Sequence, residues 1–317
     1  MYGALRRFLE AEGYQEVETP ALVPAPGMEP HIDAFSVVFR PQMGVGGPRP
    51  LYLITSPEYA MKRLLADGFG PIFQICKAFR NGEISTAHNP EFTLLELYRP
   101  EADYARIMSD LERALGAVAE QFPSHPLLAR VPYQRVKVEE AFRRAAGIEL
   151  RDCLDAEALR QAARRAGVQA GEADTFEDVF FRVFLERIEP GLGQERPVYL
   201  TDYPAPLAAL ARLKPGDPAV AELFELYAAG MELANGFSEL TDAGEQRSRL
   251  LAERQLRLAN GKPGYPLDES FLAALQRMPP AGGVAVGLDR VLMLLTGARA
   301  IEEVLLFPAR NYPGAQY

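Results

Sequence analysis

Residues 71–100, PIFQICKAFRNGEISTAHNPEFTLLELYRP, constrain this chain more than any other stretch. An apolar run at 72–76 leads to Lys77, Phe79 and Arg80. A polar loop at 81–90 holds Gly82, His88 and Asn89, and a second run at 92–98 returns. Two strand-length runs joined by a turn-rich loop predict an antiparallel hairpin. Arg80 closes the first strand, and Glu91, Glu96 and Tyr98 lie on or beside the second. A guanidinium there can hold a phosphate oxygen bidentately, and Phe92 offers a flat face to a base. An edge hairpin with solvated charges is the plainer alternative.

Around this hairpin the chain alternates helix and strand signals. Residues 2–12 space Leu5, Phe8 and Leu9 as a helix, with Gly13 as its C-cap. A short strand is expected at 16–20, ended by Pro20. Pro/Gly-rich loops at 24–30 and 41–50 flank a strand near 35–39. Residues 51–59 read as a strand leading into a helix at 58–67. Ser56 is its expected N-cap, Pro57 its first residue, and Glu58 suits its first turn. A further helix is expected at 103–120, with Ile107, Met108, Leu111, Leu115 and Val118 on one face. Others are expected at 136–147, 155–167 and 176–189. This Ala/Arg/Glu-rich block, about 103–195, carries no chemistry of its own and reads as a helical insertion and supporting layer. Strand character resumes at 198–204.

Composition narrows the classes. A chain of 317 residues makes one large domain or two ordinary ones, and either buries a substantial core. Hydrophobic content of 48% and charged content of 24% are those of a soluble globular protein. A net charge of −9 disfavours a broad nucleic-acid footprint but leaves room for a local basic patch. Cys76 and Cys153 are too few for a disulfide framework or a four-ligand zinc site, and their scarcity fits a reducing compartment. The N-terminus carries charges where a signal peptide needs an apolar core, and no run of about 18 apolar residues occurs. A cytoplasmic protein without a membrane segment is expected.

A second chemical centre is AELFELYAAGMELANGFSELTDAGEQ, in which Glu225, Glu232 and Glu239 stand seven residues apart. On one helix they would share a solvated face. Gly230 and Gly236 interrupt such a helix, however, and Phe224, Leu226 and Met231 suit strands. A turn near 228–229 would set Glu225 opposite Glu232. Opposed carboxylates repel by up to about 1 kcal/mol when exposed and by more when buried. A cation removes that penalty, and magnesium favours a few carboxylates plus phosphate oxygens. A third centre is the glycine-rich run at 282–287, followed by a helix with Asp289 and Arg290 in its first turn. Arg there opposes the helix dipole, so its placement suggests an anionic partner.

The strings FRNGE and HNPEFTLLELY resemble motif 2 of the class II aminoacyl-tRNA synthetases, in their lysine-specific branch. The first helix and VETP resemble the dimer-forming motif 1, TSPE the substrate loop, ELANGFSEL the lysyl EIGNGFSEL segment, and GLDR the end of motif 3. The resemblance runs through nearly the whole chain. It implies an α+β fold, an antiparallel sheet of about six strands flanked by helices, in a single catalytic domain, and a homodimer. It also implies ATP and Mg2+ as cofactors, with Arg80 and Arg290 as catalytic residues on the ATP phosphates. Phe92 would lie against adenine, Asn89 beside the nucleotide and His88 near the outer phosphates, with Asn81, Gly82, Leu233 and Gly287 completing the ATP site. Glu225 and Glu232 would hold the metal, and Glu232 also ATP. Glu58 would approach the amino group of the amino acid, with Ser56, Pro57, Glu96 and Tyr98 around the substrate. Asn235 would meet the substrate carboxylate, and Glu239 the side-chain amine of lysine. The chain departs from the lysyl pattern Arg-Asn-Glu-Gly at Arg80-Asn81-Gly82-Glu83, leaving glycine where the family has its ATP-contacting glutamate.

No anticodon-binding barrel is expected ahead of motif 1. Where lysyl-tRNA synthetases read GLGIGIDR this chain reads GVAVGLDR, which puts Ala285 at a glycine position of the amino-acid pocket. Both features resemble the elongation factor P lysine ligases, synthetase paralogues that attach β-lysine to a lysine of elongation factor P. The resemblance implies activation of lysine or β-lysine as the adenylate, with elongation factor P as acceptor in place of tRNA. A truncated lysyl-tRNA synthetase, an asparagine-synthetase-like ligase and a non-catalytic paralogue are the alternatives.

Overall fold

The computed structural model describes residues 1–42 and 46–312. Residues 43–45 of the expected 41–50 loop lie outside the described residues. The chain opens with α1 (Tyr2–Ala11), β1 (Gln15–Glu16), β2 (Leu22–Val23), β3 (Ser36–Phe39), β4 (Arg49–Leu53), α2 (Glu58–Ala66), β5 (Ile72–Phe79) and β6 (Glu91–Pro100). It continues through α3 (Tyr104–Ala119), β7 (Gln134–Lys137), α4 (Val138–Ala146), α5 (Ala156–Arg165), α6 (Phe176–Val183), β8 (Val198–Pro204) and β9 (Leu213–Lys214). The last elements are β10 (Asp217–Ala228), β11 (Met231–Ser238), α7 (Ala243–Ala259), α8 (Glu269–Leu275), β12 (Ala281–Gly287) and α9 (Leu288–Thr296). Two compact units result, the first from residues 1–8, 102–240 and 282–284, the second from 9–101, 241–281 and 285–317.

In the first unit the strand order is β12-β11-β10-β8-β7, with β9 also on β10. β10 and β11 turn through Ala229 and Gly230, at φ of 53° and 72°. Positive φ at both central residues is the two-residue hairpin geometry that matches strand twist. The helical alternative for the three glutamates is therefore overturned, and the turn lies one residue beyond the expected position. The block at 103–195 also departs from an all-helical reading. Residues 134–137 pair in parallel with β8 as β7, and the helix expected from 136 begins at Val138. Its helices share one core with β8 and β10. Phe142 and Phe180 stack at 4.7 Å between centroids, Phe180 lies 6.2 Å from Tyr203, and Phe184 lies 5.7 Å from Tyr227. Each buried phenylalanine contributes roughly 2–3 kcal/mol of apolar burial. Asp103 and Asp155 accept from Arg106 N and Ala158 N, which starts α3 and α5 one residue after each aspartate.

In the second unit β5 and β6 form the expected hairpin, in register from Ile72↔Tyr98 to Phe79↔Glu91. β1 adds in parallel to β5, and β2, β4 and β3 make a separate antiparallel sheet. The strand expected at 16–20 shrinks to two residues: Val17 N still donates to Phe73 O, but Pro20 has no N–H to give. With β1–β5 and β7–β8 both parallel, the strand pairing is mixed and not wholly antiparallel. α2 packs on α8 with Tyr59 stacked on Phe271 at 4.2 Å. α9 is tied to β6 by Thr93 N, which donates to Asp289 Oδ2 at 2.7 Å. Among the described residues no helix is long and apolar enough to cross a membrane.

Candidate active site

The second unit carries two side-chain clusters on its hairpin. In one, the Arg80 guanidinium lies 5.0 Å over the Phe92 ring. Its Nη1 is 3.7 Å from Glu83 Oε1, while its Nε is buried without a hydrogen-bond acceptor among the described residues. A buried donor left unmet costs about 1–3 kcal/mol, so this N–H favours an anionic ligand. Arg290, in the first turn of α9, lies 2.6 Å through Nη2 from His88 Nε2 and donates through Nε to Ala87 O at 3.3 Å. His88 Nδ1 is 2.7 Å from Ser85 Oγ, which fixes the ring. Two arginines and a histidine thus gather on one loop and helix start, an arrangement suited to polyphosphate.

Gly82 sits at φ 87°, a left-handed position that disfavours the glutamate of the lysyl pattern. The carboxylate arrives one residue later, as Glu83 beside Arg80. Asn81 is exposed and donates its backbone N–H to Asp33 O at 2.7 Å. Asn89 is buried, and its amide is committed to the backbone: Nδ2 donates to Glu91 O at 2.6 Å, and Oδ1 accepts from Ala309 N at 2.9 Å. That pairing holds the loop in shape. Ala285 and Gly287 are half-buried near the end of β12, and Gly287 is the N-cap of α9.

The other cluster joins α2 to the middle of β6. Ser56 Oγ donates to Glu96 Oε1 at 2.6 Å, Tyr98 OH donates to Glu96 Oε2 at 2.8 Å, and Glu58 N donates to Ser56 Oγ at 3.0 Å. The helix begins at Glu58, so Pro57 is the N-cap and Ser56 assists from one residue before, a shift of one from the expected cap. Burial first, then the charge of Glu58, pushes the Glu96 carboxyl up to about 8. Glu58 itself is ion-paired with Lys62 one turn on, a lysine whose side chain is wholly buried.

The first unit carries the glutamates. Glu225 accepts from Tyr203 OH, from Tyr227 OH at 2.6 Å and from Asn235 Nδ2 at 3.2 Å. Glu225 and Glu232 do not stand directly opposite each other. The turn at Ala229 and Gly230 pairs Glu232 with Tyr227, and a register shift at Leu226/Tyr227 pairs Glu225 with Asn235. They still interact: burial, then the charge of Glu232, raises the Glu225 pKa. Leu233, next after Glu232 on β11, is buried. Glu239 is 2% exposed and bridges to Ala211 beyond the end of β11. Among the described residues no group of three or more His, Cys, Asp or Glu is placed to hold a metal. A pair of carboxylates suits magnesium when phosphate supplies the other oxygens. Glu225 suits such a pair: among the described residues its Oε1 accepts from the Asn235 amide, and a cation would relieve its burial beside a second anion.

Sequence reasoning missed Tyr203 and Tyr227, which fix Glu225 from the aromatic core of the helical block. It also missed Lys62, although its place four residues after Glu58 was a legible signal.

A family model for class II tRNA synthetases (D, K and N) matches residues 1–311, and the chain belongs to that family. It is an ATP-dependent ligase. Among its relatives is an elongation factor P–(R)-β-lysine ligase of Klebsiella pneumoniae, 42% identical over 309 residues, covering 96% of this chain and 91% of the relative. Enzymes of the same name from Edwardsiella ictaluri and Sodalis glossinidius are each 42% identical with the same coverage.

Proposed function

We propose that this protein activates lysine or β-lysine as an aminoacyl-adenylate and transfers it to a lysine side chain of elongation factor P. The observation that carries the adenylating half is Arg80, stacked over Phe92 with a buried Nε–H that has no acceptor among the described residues. The amino-acid carboxylate attacks the α-phosphate and pyrophosphate leaves. Arg80 neutralises the charge that grows on the α-phosphate, Arg290 with His88 holds the outer phosphates, and Phe92 stacks on adenine. Glu225 and Glu232 would hold magnesium, which supplies further charge neutralisation on the phosphates when bound. Glu58 takes the amino group near the carboxylate, with Ser56, Glu96 and Tyr98 shaping that end. Asn235 meets the carboxylate, and Glu239 pairs with the side-chain amine. In the second step the acceptor amine attacks the activated carbonyl and AMP departs.

The acceptor assignment rests on the activity named for the relatives. The single methyl of Ala285 discriminates by only about 1–3 kcal/mol, so it separates amino-acid isomers and not classes of acceptor. A homodimer through the motif 1 helix and a cytoplasmic location complete the reading. Pyrophosphate exchange measured separately with α-lysine and β-lysine tests the first step. Exchange that depends on one or both isomers is expected, and none with either would reject adenylation of a lysine.

A further inference from the structure

The second unit holds a cavity of about 170 Å³ lined by Gly27, Glu29, Thr55, Ser56 and Glu58 among others. Two polar atoms of its lining residues lack hydrogen-bond partners among the described residues: Glu29 Oε2, which is buried, and Oγ1 of Thr55, a residue only 3% exposed. Glu58, by contrast, is already neutralised by Lys62. The loop that carries Glu29 is fixed from behind by Arg257, wholly buried on α7. Arg257 donates to Glu29 O and Ile32 O at 2.8 Å each and to Asp33 Oδ1 at 2.6 Å, and stacks 4.3 Å over Tyr265. Gly27 leaves room for the carboxyl, since a β-carbon there would overlap Glu29 Oε2. A pinned loop, a side chain cleared of obstruction and an unpaired carboxylate oxygen are the features of a preorganised binding group.

On the adenylation reading above, we infer that Glu29, together with Thr55, joins Glu58 in receiving the substrate ammonium group nearest the reacting carboxylate. Glu29 would thereby set the requirement for that amine. Because Glu58 is matched by Lys62, Glu29 supplies the carboxylate not already paired at this end of the substrate. Arg63 and Asp268 also line the cavity and are of opposite sign, so they add little net charge. Burial, then the charge of Glu58, raises the Glu29 carboxyl from its ordinary value, and a bound ammonium would restore the ionised form. A diamino acid is therefore favoured over 6-aminohexanoic acid, which keeps the distal amine and lacks the proximal one.

The test uses the full chain in pyrophosphate exchange with α-lysine and β-lysine, with 6-aminohexanoic acid as competitor. For wild type, the inhibition constant of the competitor should exceed the KM of the preferred isomer by at least tenfold. Glu29→Gln should raise the amino-acid KM tenfold or more, leave the ATP KM within twofold, and narrow that preference by a similar factor. Gly27→Ala keeps the charge but displaces the carboxyl, and should act in the same direction even if Glu29→Gln fails to fold. The inference is overturned if both soluble variants keep the wild-type KM and preference. It is equally overturned if affinity for lysine and for 6-aminohexanoic acid falls in parallel. Wild type inactive with either lysine isomer would reject the adenylation reading itself, and this inference with it.

Discussion

Arg80→Ala is expected to slow adenylate formation by two to three orders of magnitude while the fold persists. Removing a charge-assisted donor that acts on developing phosphate charge costs about 3–4 kcal/mol in the transition state, hence that factor. The stability cost is far smaller. The side chain is 28% exposed, its contact with Glu83 is at 3.7 Å, and its stack on Phe92 spans 5.0 Å. Contacts of that kind contribute about 1 kcal/mol or less each. Arg80→Lys should recover little, since an ammonium cannot reproduce the planar fork. Single-turnover adenylate formation alongside thermal unfolding separates the two effects. Near-normal pyrophosphate exchange in Arg80→Ala would remove Arg80 from the α-phosphate.

Glu239→Gln and Glu232→Gln are expected to fail on different ligands. Glu239 is almost wholly buried, so an ammonium bound there meets a desolvated carboxylate. Losing that charge should cost roughly 2–4 kcal/mol, which means a rise of about 30-fold or more in the amino-acid KM with ATP affinity kept. Glu232 is half-buried and acts on Glu225. Its neutralisation should raise the magnesium and ATP concentrations needed by about tenfold and leave amino-acid affinity nearly unchanged. If the two variants lose the same ligand to the same degree, the division between metal and amine carboxylates is wrong.

Local pattern carried much of this far into the structure. The hairpin at 71–100, the strand at 198–204 and the aspartate-capped helices stand where alternation and capping residues place them, because each is decided by neighbours in sequence. What failed depends on partners far away or on small irregularities. The turn at Ala229 and Gly230, one residue later than expected, pairs Glu232 with Tyr227, and the register shift at Leu226/Tyr227 moves Glu225 on to Asn235; no residue there announces a bulge. β7 was hidden in a helix signal because four residues leave little alternation to read, and β8 decides their pairing. Gly82 looked like a lost functional glutamate; its φ of 87° makes it a backbone requirement, with Glu83 beside Arg80. Arg257 grips a loop 224 residues away, through contacts for which the chain offers no local signal. In the sequence Glu29 is only one residue of a Pro/Gly-rich loop; the cavity it lines with Thr55 and Glu58 exists only in the fold.

The central claim is that the activated lysine goes to a protein and not to tRNA. A tRNA ligase draws much of its affinity from phosphate contacts, for which a net charge of −9 is poorly suited. A folded protein acceptor needs only a complementary patch that brings its amine within about 3–3.5 Å of the activated carbonyl. The direct measurement incubates the enzyme with ATP and either lysine isomer, offering elongation factor P and tRNA in parallel. Mass spectrometry should then show a lysyl-sized addition on a lysine of elongation factor P, with negligible charging of the tRNA. Efficient tRNA charging with unmodified elongation factor P would contradict it.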